Sequence, residues 1–120
     1  MSTRTYSQAL LAHLVAQRLQ TLRRRRGLSI ESLAGRLSPF EPEAMAARIR
    51  RLERTPTRPD LELVARIAGL YDVPVASLLA PTALESACYI LLARLPIRQR
   101  VAVWRSLVRR YQRLQPGKAP

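Results

Sequence analysis

Apolar residues recur at steps of three and four along most of the chain, and no stretch alternates singly for long enough to suggest a strand. Between Ser7 and Arg26, Leu11, Val15, Leu19 and Leu22 lie on one helical face. The run Arg23 to Arg26 followed by Gly27 suits a helix end, where cations meet the dipole and glycine takes the left-handed residue. Ser29 is placed to cap a second helix with Glu31 in its first turn and Leu33 and Leu37 inward. A third follows with Met45, Ile49 and Leu52 as its buried stripe. Its opposite face holds Glu43, Ala47, Arg50 and Arg54, and Arg48 and Arg51 flank the stripe.

The stretch Thr55 to Asp60 reads as a prolyl loop, and Asp60 as the cap of a fourth helix with Leu63, Val64, Ile67, Ala68 and Leu70 inward. Pro74 suits the first position of a short fifth helix, and Pro81 punctuates. Thr82 with Glu85 makes a capping box for a sixth helix that is apolar nearly all round, including Ile90 and Leu92, until Pro96 breaks it. The seventh, from about Ile97 to Leu114, carries Ile97, Val101, Trp104, Val108 and Tyr111 in one row. Residues 116–120 read as a flexible tail. The approach to the third helix is unusual. Ser38, Pro39 and Glu41 form a capping-box pattern, yet Pro42 is also acceptable in a first turn. Either the helix starts near Pro39 and gains a turn, or residues 38–42 form a separate turn and it starts at Pro42.

Charge narrows the function. The 120 residues carry 21 basic against 8 acidic side chains, for a net charge of +13, and all but one of the bases are arginine. Such an excess attracts polyanions, nucleic acid first, with a solvated cationic surface and a membrane surface as the other readings. A lone Cys88 excludes an intrachain disulfide, and one cysteine with His13 cannot build a zinc site, so no metal or cofactor is expected. The first twenty residues do not read as a signal peptide, since His13, Gln17 and Arg18 interrupt the apolar positions. No run approaches a membrane span, and the expected location is the cytoplasm. With no nucleophile–base pair, carboxylate dyad or phosphate-cradling glycine loop in view, enzymatic activity is not expected.

Two stretches, "LRRRRGLSIESLA" from Leu22 and "IRRLERTPTRPDLELVARIAGLYDVPVASLL" from Ile49, resemble the helix-turn-helix family of the phage lambda-type repressors, often called XRE-type regulators. The resemblance, which covers roughly residues 15–80, implies an all-α fold with a five-helix lambda-repressor-like domain over residues 8–80; the residue pattern beyond it adds a C-terminal helical hairpin over residues 81–115. It also implies an ion pair between Arg23 and Glu53, and phosphate contact at the start of the second helix, at Ser29 and Ile30. The family commonly has Gln where this chain has Ile30, which leaves the backbone amides as the expected contact. Between Leu37 and Ile49 the chain is roughly five residues longer than the usual helix-turn-helix spacing.

The helix around residues 42–54 is then the one that enters the major groove of double-stranded DNA. The candidate contacts are Ser29, Ile30, Glu43, Ala46, Ala47, Arg48, Arg50, Arg51, Arg54 and Arg58. Arg50 is the expected base reader, Ala47 a close-approach or methyl-contact position, and Arg51 and Arg54 phosphate clamps. Glu41 and Glu43 at the tip repel phosphate but suit either the helix N-terminus or a cytosine amino group. A helix apolar all round needs burial on several sides, so helices six and seven are expected to pair with a second copy through Leu84, Cys88, Leu91, Leu95, Val101, Trp104, Val108 and Tyr111. The alternative is that they fold back on their own domain. The function implied is a dimeric transcriptional repressor. An antitoxin, whose C-terminal helices would bind a toxin protein, and a charge-driven nonspecific binder are the other readings.

Overall fold

The computed structural model describes residues 7–54 and 58–120. The first part of the expected prolyl loop, residues 55–57, lies outside them. Among the described residues there are seven α-helices and no strand: α1 (Gln8–Arg25), α2 (Ile30–Leu37), α3 (Pro42–Glu53), α4 (Leu61–Tyr71), α5 (Val75–Leu79), α6 (Ala83–Arg94) and α7 (Ile97–Leu114). The all-α expectation, with a helix-turn-helix domain first and further helices behind it, holds.

Local chemistry sets most boundaries. The hydroxyls of Ser7, Ser29 and Thr82 and the carboxylate of Asp60 each accept from an amide in the first turn of α1, α2, α6 and α4 respectively. Gly27, at φ 67°, makes the left-handed exit from α1, and Asp72, at φ 53°, does the same after α4. Pro74 stands just outside α5, as its N-cap, not at its first helical position.

The approach to α3 takes the second of the two expected forms. The Ser38 amide donates to the Ala34 carbonyl and closes α2, and no helix starts from Ser38. Residues 38–41 form a separate turn, and α3 starts at Pro42, whose missing N–H is harmless at a first position. The expected Ser38–Glu41 capping box is therefore not made.

The core lies where α1 to α5 converge. Val15 and Leu19 meet Leu33 of α2, the Met45–Ile49–Leu52 stripe of α3, and Leu63 and Ile67 of α4. On α4 the inward set differs from expectation at one place: Leu70 is exposed and Tyr71 is buried. Tyr71 follows Leu63 and Ile67 at steps of four, whereas Leu70 falls between that row and solvent. Arginines finish several helix ends. Arg18 donates to the carbonyls of Ser77, Leu78 and Ala80 at the end of α5, and Arg66 to Leu37 at the end of α2. Arg26 donates to Tyr71 and lies over its ring, and Arg100 holds Ala93 and Leu95 at the end of α6. These carbonyls have no intrahelical partner, so the cations meet a real need.

One polar contact crosses the core. Arg23 Nε donates to Glu53 Oε1 at 2.7 Å and Nη2 to Oε2 at 3.1 Å, while Nη1 donates to the Leu28 carbonyl at 2.9 Å. The two side chains are 11% and 8% exposed. The Glu53 hydrogen bonds outweigh burial and raise the Arg23 pKa above its ordinary value, so the guanidinium stays charged.

The C-terminal helices are far less covered. α6 leans on α5 and the core: Ser86 donates to the Ser77 carbonyl at 2.6 Å, and Ile90 is half-buried against the core. α7 follows after Leu95 and Pro96 and packs extensively on no other helix. No residue of either helix is fully buried.

Replacing one member of the Arg23–Glu53 pair strands the other charge in a largely dry site. Glu53→Ala is expected to lower unfolding stability by about 3 kcal/mol, near the low end for broken buried pairs, as read by urea denaturation. A loss below about 0.5 kcal/mol, the level of a solvated surface pair, refutes the structural role given to it.

Candidate nucleic-acid interface

α2 and α3 pack against each other more extensively than any other two helices, and together they present one arginine-rich face. The buried stripe of α3 dictates that face. With Met45, Ile49 and Leu52 inward, a helix of 3.6 residues per turn must turn Glu43, Ala47, Arg50 and Arg54 outward. All four are exposed, as is Arg51 beside them. Arg51, Arg54 and Arg58 have no side-chain hydrogen-bond or ion-pair partner among the described residues, and their guanidinium groups stand in solvent.

Three of the expected contact residues sit differently. Ala46 is only 4% exposed and faces the core with Met45, because its position falls on the inner side of the helix. Arg48 is half-buried and bound to Asp60: Nη2 and Nε donate to Oδ2 at 2.7 and 3.1 Å. The same carboxylate uses Oδ1 to cap α4, so Arg48 ties α3 to α4 and is not a free cation. Ile30 is half-buried against the core, and only its backbone faces the entry of α2. Ser29 is exposed, with its hydroxyl accepting from the Ser32 amide at 3.0 Å.

Arg50 is outward but tethered. Its Nη2 donates to Glu31 Oε1 at 2.5 Å across the α2–α3 groove, in a pair open to water. A bond from its own backbone amide and then the Arg50 bond hold the Glu31 carboxyl below its ordinary value. At Asp60 burial opposes ionisation, but the bonds from Arg48 and the Leu63 amide prevail and hold the carboxyl below its usual range.

Two features of this face were not legible in the sequence as contacts. Glu31 lies 19 positions from Arg50 and meets it only because of how α2 crosses α3. Phe40, in the turn between the two helices, is 97% exposed, and the acidic Glu41 and Glu43 stand beside it. Arg48–Asp60 had a readable half: Asp60 is recognisable as a cap, and a cap twelve residues beyond an arginine across a short loop is within that side chain's reach.

Elsewhere, Leu84, Cys88, Leu91, Val101 and Trp104 are exposed, and Leu95, Val108 and Tyr111 half-buried. None of the expected dimerisation residues is fully buried by the chain's own helices. Among the described residues no helix is long and apolar enough to cross a membrane, and no cluster of His, Cys, Asp or Glu could hold a metal ion.

A family model described as a helix-turn-helix domain matches residues 14–80, more than half of the chain and the span from within α1 through α5. No match was found among curated proteins or among solved structures.

The Asp60 shift fixes a pH dependence. A carboxyl held below its ordinary 3.8 contributes stability that is complete above that value and is lost as pH falls through the lowered one. The stability difference between the native chain and Asp60→Asn, which keeps a capping oxygen, is therefore expected to stay constant across neutral pH. It shrinks only below about pH 4, as followed by thermal melts. A difference that already shrinks between about pH 7 and 5 contradicts the Arg48–Asp60 assignment.

Proposed function

The chain belongs to the helix-turn-helix domain family, a DNA-binding fold, and from that premise we propose a finer reading: a sequence-specific XRE-type transcription regulator, working as a dimeric repressor with α3 in the major groove of duplex DNA. The observation that carries it is the outward ridge of α3. Its apolar stripe is fully occupied by the core, so the opposite face is rigidly held, and that face offers Ala47, Arg50, Arg51 and Arg54 to solvent. A helix of this width fits the major groove.

The side chains divide by role. Ala47 has no bulk beyond Cβ and lets the helix axis approach closely. Arg50 is the base reader: it exchanges the solvated Glu31 carboxylate for guanine O6 and N7, and an exposed pair of that kind is worth little to lose. Arg51, Arg54 and Arg58 hold phosphates, which provides affinity without sequence information. The backbone amides at Ser29 and Ile30 add a helix-N-terminus contact to phosphate on the other side of the groove. Arg48 stands behind this surface and positions it through Asp60.

Dimerisation follows from the apolar faces of α6 and α7. Trp104 is 58% exposed and lies in a row with Val101 and Val108, a patch that a second copy covers. Two copies place two α3 helices on half-sites about one helical turn, ~34 Å, apart. A dimer so bound occludes a promoter.

Two outcomes are expected. Arg51→Ala and Arg54→Ala weaken specific and random duplexes alike and each reduce the slope of log affinity against log salt by about 0.9, whereas Arg50→Ala mainly removes the preference for the selected sequence. Titrations at two salt concentrations separate the two effects. Loss of no affinity from any of the three refutes the α3 assignment. Light scattering is expected to return twice the 13.6 kDa chain mass, and Trp104→Asp to return the chain mass itself. A native monomer at high concentration refutes the dimer.

A further inference from the structure

The turn between α2 and α3 carries the most exposed large apolar side chain of the described residues. Phe40 is the chain's one phenylalanine, and it is 97% exposed while its neighbours along the chain dive into the core within a few positions. Water is a poor environment for a benzyl group, and such exposure is costly unless something covers it. The turn that holds it is stiff. Pro39 precedes Phe40 and Pro42 opens α3, so two backbone dihedrals near it are locked, and Glu41 is restricted by the proline that follows it. A stiff tip loses little freedom when it meets a ligand.

Its position selects the ligand. Phe40 lies two residues before the first residue of α3, at the end of the recognition helix that enters the groove first. Glu41 and Glu43 flank it, and both are exposed and acidic. Carboxylates are pushed away from the phosphate strands on either side and are tolerated only over the middle of the groove, where base edges lie. The arginines that hold the strands, Arg51 and Arg54, stand two to three turns further along the same helix. An apolar group carried to the groove floor has one apolar partner there, the C5-methyl of thymine.

We propose that Phe40 is a specificity-determining residue that packs against a thymine methyl in each half-site. The inference rests on the placement of α3 in the major groove given above, and adds a base preference which that placement does not require. The other possible occupant, a protein surface, is an outcome of the test below.

The test uses the full chain and duplexes selected from a random pool. The selected site is expected to hold a thymine at one fixed position per half-site. Replacing that thymine by deoxyuridine, which pairs identically but lacks the methyl, weakens native binding about fourfold per half-site, the worth of one buried methyl-sized group. Phe40→Ala binds the thymine duplex more weakly than the native chain and no longer distinguishes it from the uracil duplex. Phe40→Leu restores part of the difference. Because Phe40 touches no core residue, all variants melt with the native chain, and circular dichroism checks this. If Phe40→Ala keeps the full thymine–uracil difference, or leaves duplex affinity unchanged, the inference fails while the α3 assignment stands; Phe40 then faces a protein surface instead. If the native chain selects no duplex at all, the α3 assignment itself fails, and this inference falls with it.

Discussion

An ion pair in an apolar setting decides where α3 stands. Arg23 sits in the last turn of α1, and its guanidinium reaches Glu53 in the last turn of α3 and the Leu28 carbonyl in the turn before α2. One planar group thus joins three segments, each in a direction its fork of donors prescribes. Apolar packing alone would hold α3 against α2 but would tolerate small slides along the stripe, since dispersion contacts have little directionality. A bidentate charged contact does not tolerate them. The arginine ridge of α3 inherits its orientation from this joint, and Arg48–Asp60 repeats the device between α3 and α4.

The high positive charge serves two ends. Part of it is internal. Arg18, Arg26, Arg66 and Arg100 donate to carbonyls at helix ends, Arg23 and Arg48 pair with acids, and none of these is a free cation for a polyanion. The external part lies on arginines the fold leaves unmatched, Arg51, Arg54 and Arg58 on the α3 side and others such as Arg24, Arg25, Arg36, Arg98, Arg105 and Arg109 elsewhere. Net charge therefore overstates the cationic surface available to DNA, and what counts is which guanidinium groups the fold leaves without a partner. Arginine suits both uses because it stays charged in partial burial and offers several donors at fixed angles.

The two halves of the chain differ in how completely they satisfy themselves. α1 to α5 enclose a closed core, and the family match ends with α5, at residue 80. α6 rests one side on that core through Ser86 and Ile90, and α7 rests on nothing extensive. Part of α6 thus folds back on the domain, and its remaining apolar faces are exposed. The same contrast holds at small scale in the α2–α3 turn, where an apolar Phe40 stands in water between two helices whose inner faces are fully covered.

The helices, their caps and their inward stripes were legible in the residues alone, because they depend on spacing and on neighbours three or four positions away. Ser29, Asp60 and Thr82 cap what they were expected to cap, and Met45, Ile49 and Leu52 form the buried stripe. The pairing of Arg23 with Glu53 followed from the family resemblance and not from spacing. Tertiary structure decided the rest. That α3 begins at Pro42 and not near Pro39 was visible only in the fold. Arg50 met Glu31, Arg48 met Asp60 and Ala46 turned inward because helices cross at particular angles. Periodicity states which face of a helix is apolar; only packing in three dimensions determines which charged group of another helix lies opposite each cation, since that distance is not encoded in any local repeat.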